Sequence, residues 1–384
     1  MAAITARFLP IAKAQSADEL LEYRDFAFQF WRGIFLQAGT LKASDIHVEP
    51  YDDWVVIRLR VNGILRDINK FFEVKELRRD ALNKLKTLCR LDLSHQDTAQ
   101  DSAFTLALTN CRYRVALCPT EFGESFVFRV IYDDKLPSLS ESNLPAAAVK
   151  ALQSCLAKEQ GIVLMTGPTG SGKSTTLQAA LLAIDRKARK VITIEDPVER
   201  ILPDIQQTQI TKSLSWAKAI SSAMRRDPDI ILIGEIRDRE SAALAIEAAN
   251  TGHLVISTIH ANNVVSTFDR LTGLGIEREL LAENILMISA QRLLKKICQD
   301  CRAIDEASSG YHQGPGCVSC LMTGVVGRVP ILEYTVEPDP QSIVAFDKSH
   351  FQRTQLKTSL SQECQRLVNI GLVDSSYLNH WRNS

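Results

Sequence analysis

Two sets of residues in this chain have the types and spacing to do chemistry. The first is Gly167-Pro168-Thr169-Gly170-Ser171-Gly172-Lys173-Ser174-Thr175, which fits the pattern G-x-x-x-x-G-K-[ST]. Glycines here let backbone N–H groups converge on phosphate oxygens. Lys173 then reaches the β- and γ-phosphates, and the Ser174 hydroxyl can ligate Mg²⁺ at a helix N-terminus. An apolar strand at Ile162–Met165 precedes the loop and an uninterrupted helical stretch follows it, the context the motif needs. A chance glycine-rich turn would not bring all of these together, so a nucleoside triphosphate is the expected ligand. The second set is Cys298-x2-Cys301 and Cys317-x2-Cys320, separated by fifteen residues. Four thiolates at this spacing fill a tetrahedron around Zn²⁺ and leave no open coordination position, which makes the metal structural. Disulfides and an iron–sulfur centre are the weaker alternatives.

Acids and histidines recur after the phosphate loop, at intervals suited to consecutive strand ends. Ile194-Glu195-Asp196-Pro197-Val198-Glu199 comes first, then Arg225–Asp238 with Glu235, then Thr251–His260 with His253 and His260. In parallel α/β sheets, catalytic groups gather at the carboxyl ends of strands. Phosphoryl transfer to water needs a metal, a group that orients the water and positive charge on the γ-phosphate. Glu195, Asp196, Glu199, Glu235, His253 and His260 cover the first two needs. The run Ile230–Ile233 ends in Gly234-Glu235 where an ATPase strand usually ends in aspartate, while Asp227 and Asp229 precede it and shape the turn leading in. Each segment also has a plain reading: Glu195-Asp196-Pro197 as a connection, Arg237–Glu240 as a solvated helix start, His253 as a structural histidine. Positive charge beyond Lys173 is sought among Arg58, Arg60, Arg66, Arg112, Arg114 and Arg129. That row reads as a solvated sheet face, as a nucleic-acid platform without stacking aromatics, or as arginine fingers for a neighbouring site. Arg225 and Arg226 are further candidates for a subunit interface.

The elements that must position these groups fall into two rhythms. Residues 17–39 have helical apolar spacing through Leu20, Leu21, Tyr23, Phe26, Phe28, Phe30, Trp31 and Phe35. From Trp54 the chain alternates, turns at Asn62-Gly63, returns to helical periodicity over 75–92 and forms a second hairpin around Phe122-Gly123. From about 151 strands alternate with helices, which predicts a parallel sheet covered on both faces. The expected organisation is a segment at 1–16, an α+β domain at 17–134, a linker at 135–150, an α/β core at 151–295 and a region at 296–384 carrying the metal subdomain (296–330). The 384 residues, 45 of them basic and 45 acidic, leave no net charge to argue for a nucleic-acid or lipid partner. No signal peptide or membrane span is evident, and cysteines at metal spacing suit a reducing compartment. A cytoplasmic location is therefore expected. Cys89, Cys111, Cys118, Cys155 and Cys364 read as packing residues.

At this point the chain resembles the secretion-superfamily ATPases of the GspE/PilB type, the motors of type II secretion and type IV pilus assembly. The resemblance rests on the phosphate loop, an Asp box (IEDPVE), a Walker B stretch ending in Gly-Glu (RRDPDIILIGEIRD) and a His box (TGHLVISTIHAN). Upstream, SDIHVEP (44–50), RLRVNG (58–63) and LDLSHQDTAQDSAF (91–104) look like the family's second N-terminal domain, so the likeness covers about residues 40–340. It implies a RecA-like P-loop core with a PAS-like N-terminal domain, and hydrolysis of ATP with Mg²⁺. It also implies a homo-hexameric ring with nucleotide between the two domains. Glu235 would sit near Mg²⁺ with Ser174, one of Glu195, Asp196 and Glu199 would orient water, His260 would sense the γ-phosphate, and Arg114 and Arg129 would approach the nucleotide. The implied partner is an inner-membrane platform protein that adds pilin or pseudopilin subunits, with peripheral membrane association through partners and no direct nucleic acid. The cysteine cluster tilts the reading toward assembly or export rather than retraction. A DNA-uptake or conjugation motor, and a scaffold that binds ATP but barely turns over, are the rival readings. Only about 40 residues precede SDIHVEP, so the family's additional docking domain is expected to be missing or reduced.

Overall fold

A computed structural model describes residues 16–22, 25–71, 75–132, 136–305 and 310–381. Most of the expected N-terminal segment, and Tyr23 of the first helical stretch, lie outside these residues. The chain divides into two compact units, residues 1–134 and 135–384.

The first unit is a six-stranded antiparallel sheet with helices on one face. Its elements are α1 (Ala17–Leu21), α2 (Phe26–Thr40), β1 (Asp45–Pro50), β2 (Val55–Val61), β3 (Ile64–Phe71), α3 (Lys75–Leu88), β4 (Gln100–Leu106), β5 (Cys111–Thr120) and β6 (Gly123–Tyr132). The strands lie in the order β3-β2-β1-β6-β5-β4. Helix α2 buries Ala27, Phe28, Trp31, Ile34, Phe35 and Ala38, the three-and-four spacing of one helical face. Asp25 caps its N-terminus through the Ala27 and Phe28 amides and also holds Lys84 of α3 at 2.6 Å, so one carboxylate fixes both helices. Ile46, Val48, Tyr113, Val115, Phe126 and Phe128 point from the sheet into this core. Their alternate neighbours, the arginines among them, point away.

The second unit opens with α4 (Ala146–Leu156), β7 (Gly161–Thr166) and α5 (Lys173–Leu182). It continues with β8 (Val191–Glu195), β9 (Gln206–Gln209), α6 (Trp216–Met224), β10 (Ile230–Ile236), α7 (Arg239–Asn250), β11 (Leu254–Ile259), α8 (Val264–Gly273) and α9 (Arg278–Asn284). Then come β12 (Ile285–Ile297), β13 (Ala303–Asp305), β14 (Gly310–His312), β15 (Val325–Val336), α10 (Pro340–Ala345), α11 (Lys348–Thr354), β16 (Leu356–Thr358), α12 (Leu360–Asn369) and α13 (Tyr377–Trp381). Eight strands form one sheet in the order β16-β15-β12-β7-β11-β10-β8-β9. Strands β12 to β9 in that order run parallel, and β15 and β16 add antiparallel neighbours. Ile162 and Leu164 face one core and Val163 and Met165 the other, so β7 reads as a continuous apolar run because both sheet faces are covered.

Two features depart from the sequence reading. The stretch expected to be a linker packs on the core: Leu139 is buried and α4 starts at Ala146. The sheet also continues past residue 295. β12 crosses that point, and β15 pairs with it from Met287–Val336 to Ile297–Val325, so the cysteine segment is an excursion from the core's own sheet. Periodicity did not show this, because an apolar run such as Val329–Leu332 does not declare which edge it joins.

Candidate active site

Because β7, β8, β10, β11 and β12 run parallel, their carboxyl ends share one edge of the sheet. β7 leads directly into the phosphate loop. Gly167, Gly170 and Gly172 have φ of 144°, 78° and 87°, a path that side-chain-bearing residues rarely follow and that turns successive N–H groups inward. Gly167 and Ser171 are buried, Pro168, Thr169 and Gly170 are exposed, and Ser174 and Thr175 are exposed on the first turn of α5. The Lys173 ammonium folds back over the loop, donating to the Gly167 carbonyl at 2.7 Å and the Pro168 carbonyl at 3.0 Å. Burial depresses its pKa; Glu235 opposes that shift and Arg292 adds to it.

Glu195 ends β8 with one carboxylate oxygen accepting from Thr193 Oγ1 at 2.5 Å and Gln207 Nε2 at 3.0 Å. Asp196 and Glu199 lie exposed beyond it, and the charge of Asp196 is felt at Arg237. Glu235 sits in an irregularity of β10, whose register with β11 shifts between Ile233 and Ile236. Such a bulge leaves carbonyls unpaired in the ladder and re-aims a side chain. Here the hydroxyls of Ser257 and Thr258 satisfy the Ile233 and Gly234 carbonyls at 2.7 Å each. Gly234 suits the crowding: a β-carbon there would lie 3.0 Å from the Ile194 carbonyl and 3.2 Å from the Trp216 ring, tighter than such atoms usually pack. The Glu235 carboxylate is gripped by Arg237, through Nε and through Nη2 at 2.9 Å. His260 Nε2 stands 3.8 Å away. Burial would raise the Glu235 pKa, but Arg237, His260 and Lys173 outweigh it and hold the carboxylate below its ordinary value.

His260 is exposed just past the end of β11. The next residue, Ala261, is locked to β7 from both sides, its carbonyl accepting from Thr166 Oγ1 and its N–H donating to the same oxygen, each at 2.8 Å. His253 is a correction. It precedes Leu254, which pairs with Gly161 and Ile230 at the amino ends of their strands. A strand of this length puts it about 20 Å from the phosphate-loop edge. Its Nδ1 lies 2.9 Å from the Ala248 carbonyl and 3.2 Å from Thr251 Oγ1, so it closes the end of α7 and cannot touch a nucleotide on the loop. Asp227, with φ 53°, and Asp229, accepting from the Lys190 N–H at 2.6 Å, shape the turn into β10 as expected.

Four residues of this edge were not read from the sequence. Arg237 reads in the sequence as part of a solvated helix start, although two positions after Glu235 in extended chain it falls on the same side. Gln291 and Arg292 follow Ala290, the last β12 partner of β7, and so flank the first residue of the loop. Gln291 is buried, donates to the Ser171 carbonyl at 2.8 Å and accepts from Thr176 Oγ1 at 3.0 Å. Glu333 on β15 accepts from the Val264 N–H at 2.8 Å, at the start of α8. Polar residues within an otherwise apolar strand, Ile285–Ile297, were the available signal.

In the first unit, Arg58 pairs with Glu49 at 3.2 Å and Asp67 at 3.0 Å, and Arg60 with Asp45 at 3.7 Å. Arg114 and Arg129 are directly opposite each other across β5 and β6. Both are exposed, and Arg129 reaches Asp45 at 3.5 Å. Like charges placed opposite one another cost stability, and Asp45 offsets part of that cost at Arg129. Arg225 and Arg226 precede β10, at the amino edge of the second unit's sheet, where Arg226 donates to Gln206 at 2.6 Å.

The sulfurs of Cys298, Cys301, Cys317 and Cys320 all lie within 4.8 Å of one another. Three of the separations are 3.7, 3.9 and 3.8 Å. A tetrahedron with Zn–S bonds of about 2.3 Å has edges of about 3.8 Å, whereas a disulfide requires sulfurs about 2.05 Å apart. Burial would push the Cys320 thiol up, but the Cys317 and Gly324 amides, both 3.1 Å from its sulfur, pull it down and favour the thiolate. The four residues fit one tetrahedral metal.

A parallel sheet with a phosphate loop at the end of β7, and with β11 inserted between β7 and the acidic strand β10, defines a RecA-like P-loop ATPase. The comparisons give the relatives. The family described as Type II/IV secretion system protein matches residues 25–376. The type II secretion system protein HxcR of Pseudomonas aeruginosa is 39% identical over 329 residues, 84% of this chain and 69% of that protein. The type IV pilus assembly ATPase PilB of Myxococcus xanthus is 35% identical over 346 residues, 84% of this chain and 61% of that protein. Among solved structures, the ATPase DotB of Legionella pneumophila superposes with a TM-score of 0.69 at 25% identity, covering 91% of this chain and 95% of that one. The chain belongs to the type II/IV secretion system protein family and is an ATP-hydrolysing motor of that superfamily. Among the described residues, no helix is long and apolar enough to cross a membrane.

Proposed function

We propose that this ATPase works as a subunit of a ring hexamer at the cytoplasmic side of the inner membrane. There its turnover drives the addition of pilin or pseudopilin subunits in a type II secretion or type IV pilus machine. The observation that carries the chemistry is Glu235, an anionic carboxylate on a bulge at the phosphate-loop edge with His260 3.8 Å from it. The Ser174 hydroxyl and the Glu235 carboxylate are the hard oxygen donors that suit Mg²⁺, and a bound Mg²⁺ would neutralise charge on the β- and γ-phosphates. Glu195, fixed by two donors, suits the role of orienting the attacking water better than the exposed Glu199. His260 reads the terminal phosphate. The opposed Arg114 and Arg129 supply added positive charge when the N-terminal unit meets nucleotide, and the cysteines hold Zn²⁺. The sequence likeness to type II secretion and pilus assembly proteins supports the choice of machine, and a platform protein of that machine is the expected docking partner.

Hydrolysis by Glu235→Gln tests the site. We expect kcat to fall by about 10²-fold or more, with ATP binding retained. Unchanged turnover would remove Glu235 from the mechanism and favour a different acid. One zinc per chain by elemental analysis, with four thiols released on chelation, is the matching result for the cysteines.

A further inference from the structure

The terminal phosphate of ATP needs positive charge, and the N-terminal unit need not be its only source. Arg292 lies in the same unit as the phosphate loop. A β-carbon placed on Gly167 would sit 3.1 Å from Arg292 Nη1 and 2.5 Å from the Gln291 carbonyl, so the guanidinium is packed against the first residue of the loop. The Gly167 carbonyl is also where Lys173 rests, and that ammonium reaches the β- and γ-phosphates in loops of this type. The other end of the guanidinium, Nη2, donates to the Asn262 carbonyl, two residues after His260. Arg292 therefore touches both the phosphate loop and the segment that follows His260.

Burial lowers its pKa against the opposing field of Glu333, but a guanidinium stays protonated in proteins. The nearest acid contributing to its field is Glu333, whose carboxylate is occupied by the Val264 N–H, and no ion pair holds Arg292 among the described residues. Its hydrogen bonds are to carbonyls, of Gln291 at 3.0 Å and of Asn262. Neutral acceptors release a guanidinium to a phosphate far more readily than a carboxylate would. Gln291, on the opposite side of the same strand, is buried, donates to the Ser171 carbonyl and accepts from Thr176. Gln291 fixes the loop's shape, and Arg292 lies beside the loop with only carbonyls as partners.

We propose that Arg292 is a specificity-determining residue that contacts the γ-phosphate from within the same chain, exchanging its Asn262 bond for the phosphate and so linking nucleotide state to the His260 segment. The inference rests on ATP binding at the phosphate loop. A phosphate contact of this kind distinguishes ATP from ADP, whereas a residue that merely props the loop affects both alike. The test is the affinity of full-length variants for ATPγS and ADP, read by competition against a fluorescent nucleotide.

Arg292→Ala should weaken ATPγS at least tenfold while ADP changes by less than about twofold. Arg292→Lys, which keeps the charge, should recover part of the ATPγS preference. Gln291→Ala should weaken the two nucleotides by the same factor. Equal losses of ATPγS and ADP in Arg292→Ala, or no loss of either, overturn the proposal. If Arg292→Ala does not fold, the ATPγS-to-ADP ratio of Arg292→Lys and Arg292→Gln decides: an unchanged ratio in both overturns it. Lys173→Ala separates the two readings, because it should abolish binding of both nucleotides. Retained binding there would refute the phosphate-loop site itself, whatever Arg292 does.

Discussion

The two edges of the second unit's sheet both carry charged side chains and use them differently. At the amino edge they are spent on the main chain. Arg186 donates to the carbonyls of Leu181, Leu182 and Ile184, and Arg189 to those of Leu156 and Lys158. Lys190 holds the Arg226 carbonyl, Asp229 the Lys190 N–H and His253 the Ala248 carbonyl. At the carboxyl edge Glu235 is addressed by Arg237 and His260, while Lys173 and Arg292 rest on the carbonyls of Gly167, Pro168, Gln291 and Asn262. The amino-edge bonds close helix ends and the turn into β10, while the carboxyl-edge groups gather where an anion and a cation would arrive together. Two histidines seven positions apart, His253 and His260, show the rule on a single strand.

Three substitutions probe that contrast. The largest effect should come from His260→Ala, with kcat lower by about 10²-fold, the scale of losing one group that addresses developing charge, and with little change in ADP affinity. Arg237→Gln should act next, through pH. The guanidinium helps to hold the Glu235 pKa down against burial, so removing it raises that pKa. Turnover requiring the carboxylate would then be lost at a higher pH as the solution is acidified. A kcat–pH profile whose acid limb stays in place would show that Arg237 does not set the charge of Glu235. The smallest effect on turnover belongs to His253→Ala, within about twofold, while the unfolding free energy from a urea titration drops by about 1 kcal/mol for one lost hydrogen bond. If His253→Ala reduced kcat as much as His260→Ala, the division between the edges would fail.

Much of this site is legible in the sequence because a motif fixes several residues at once. The phosphate loop, the strands Gly161–Thr166 and Ile230–Ile236, the Asn62-Gly63 turn and the paired cysteines each declare themselves through spacing. What escaped depends on three-dimensional adjacency. Nothing in the run around Ala290 reveals that it is the last partner of β7, which is what brings Gln291 and Arg292 beside the loop. The twelve residues of β15 carry no sign that they join the core's sheet rather than the cysteine segment. His253 shared the neighbourhood of His260 in sequence, but period-two geometry carries a six-residue strand across the whole sheet. Gly234 was noticed as an oddity, and only the crowding by Ile194 and Trp216 explains it.

The antiparallel pair β12–β15 has a mechanical side. β12 is thirteen residues long, and Arg292 and Cys298 are six positions apart. The nucleotide edge and the cysteine pairs are therefore about 20 Å apart along one extended backbone, cross-braced by β15 nearly to its tip. A ribbon clamped in this way behaves as a beam rather than a tether. Motion imposed at its root is delivered at its end with little lost to bending, and the thiolate cluster is the fitting that keeps that end from fraying.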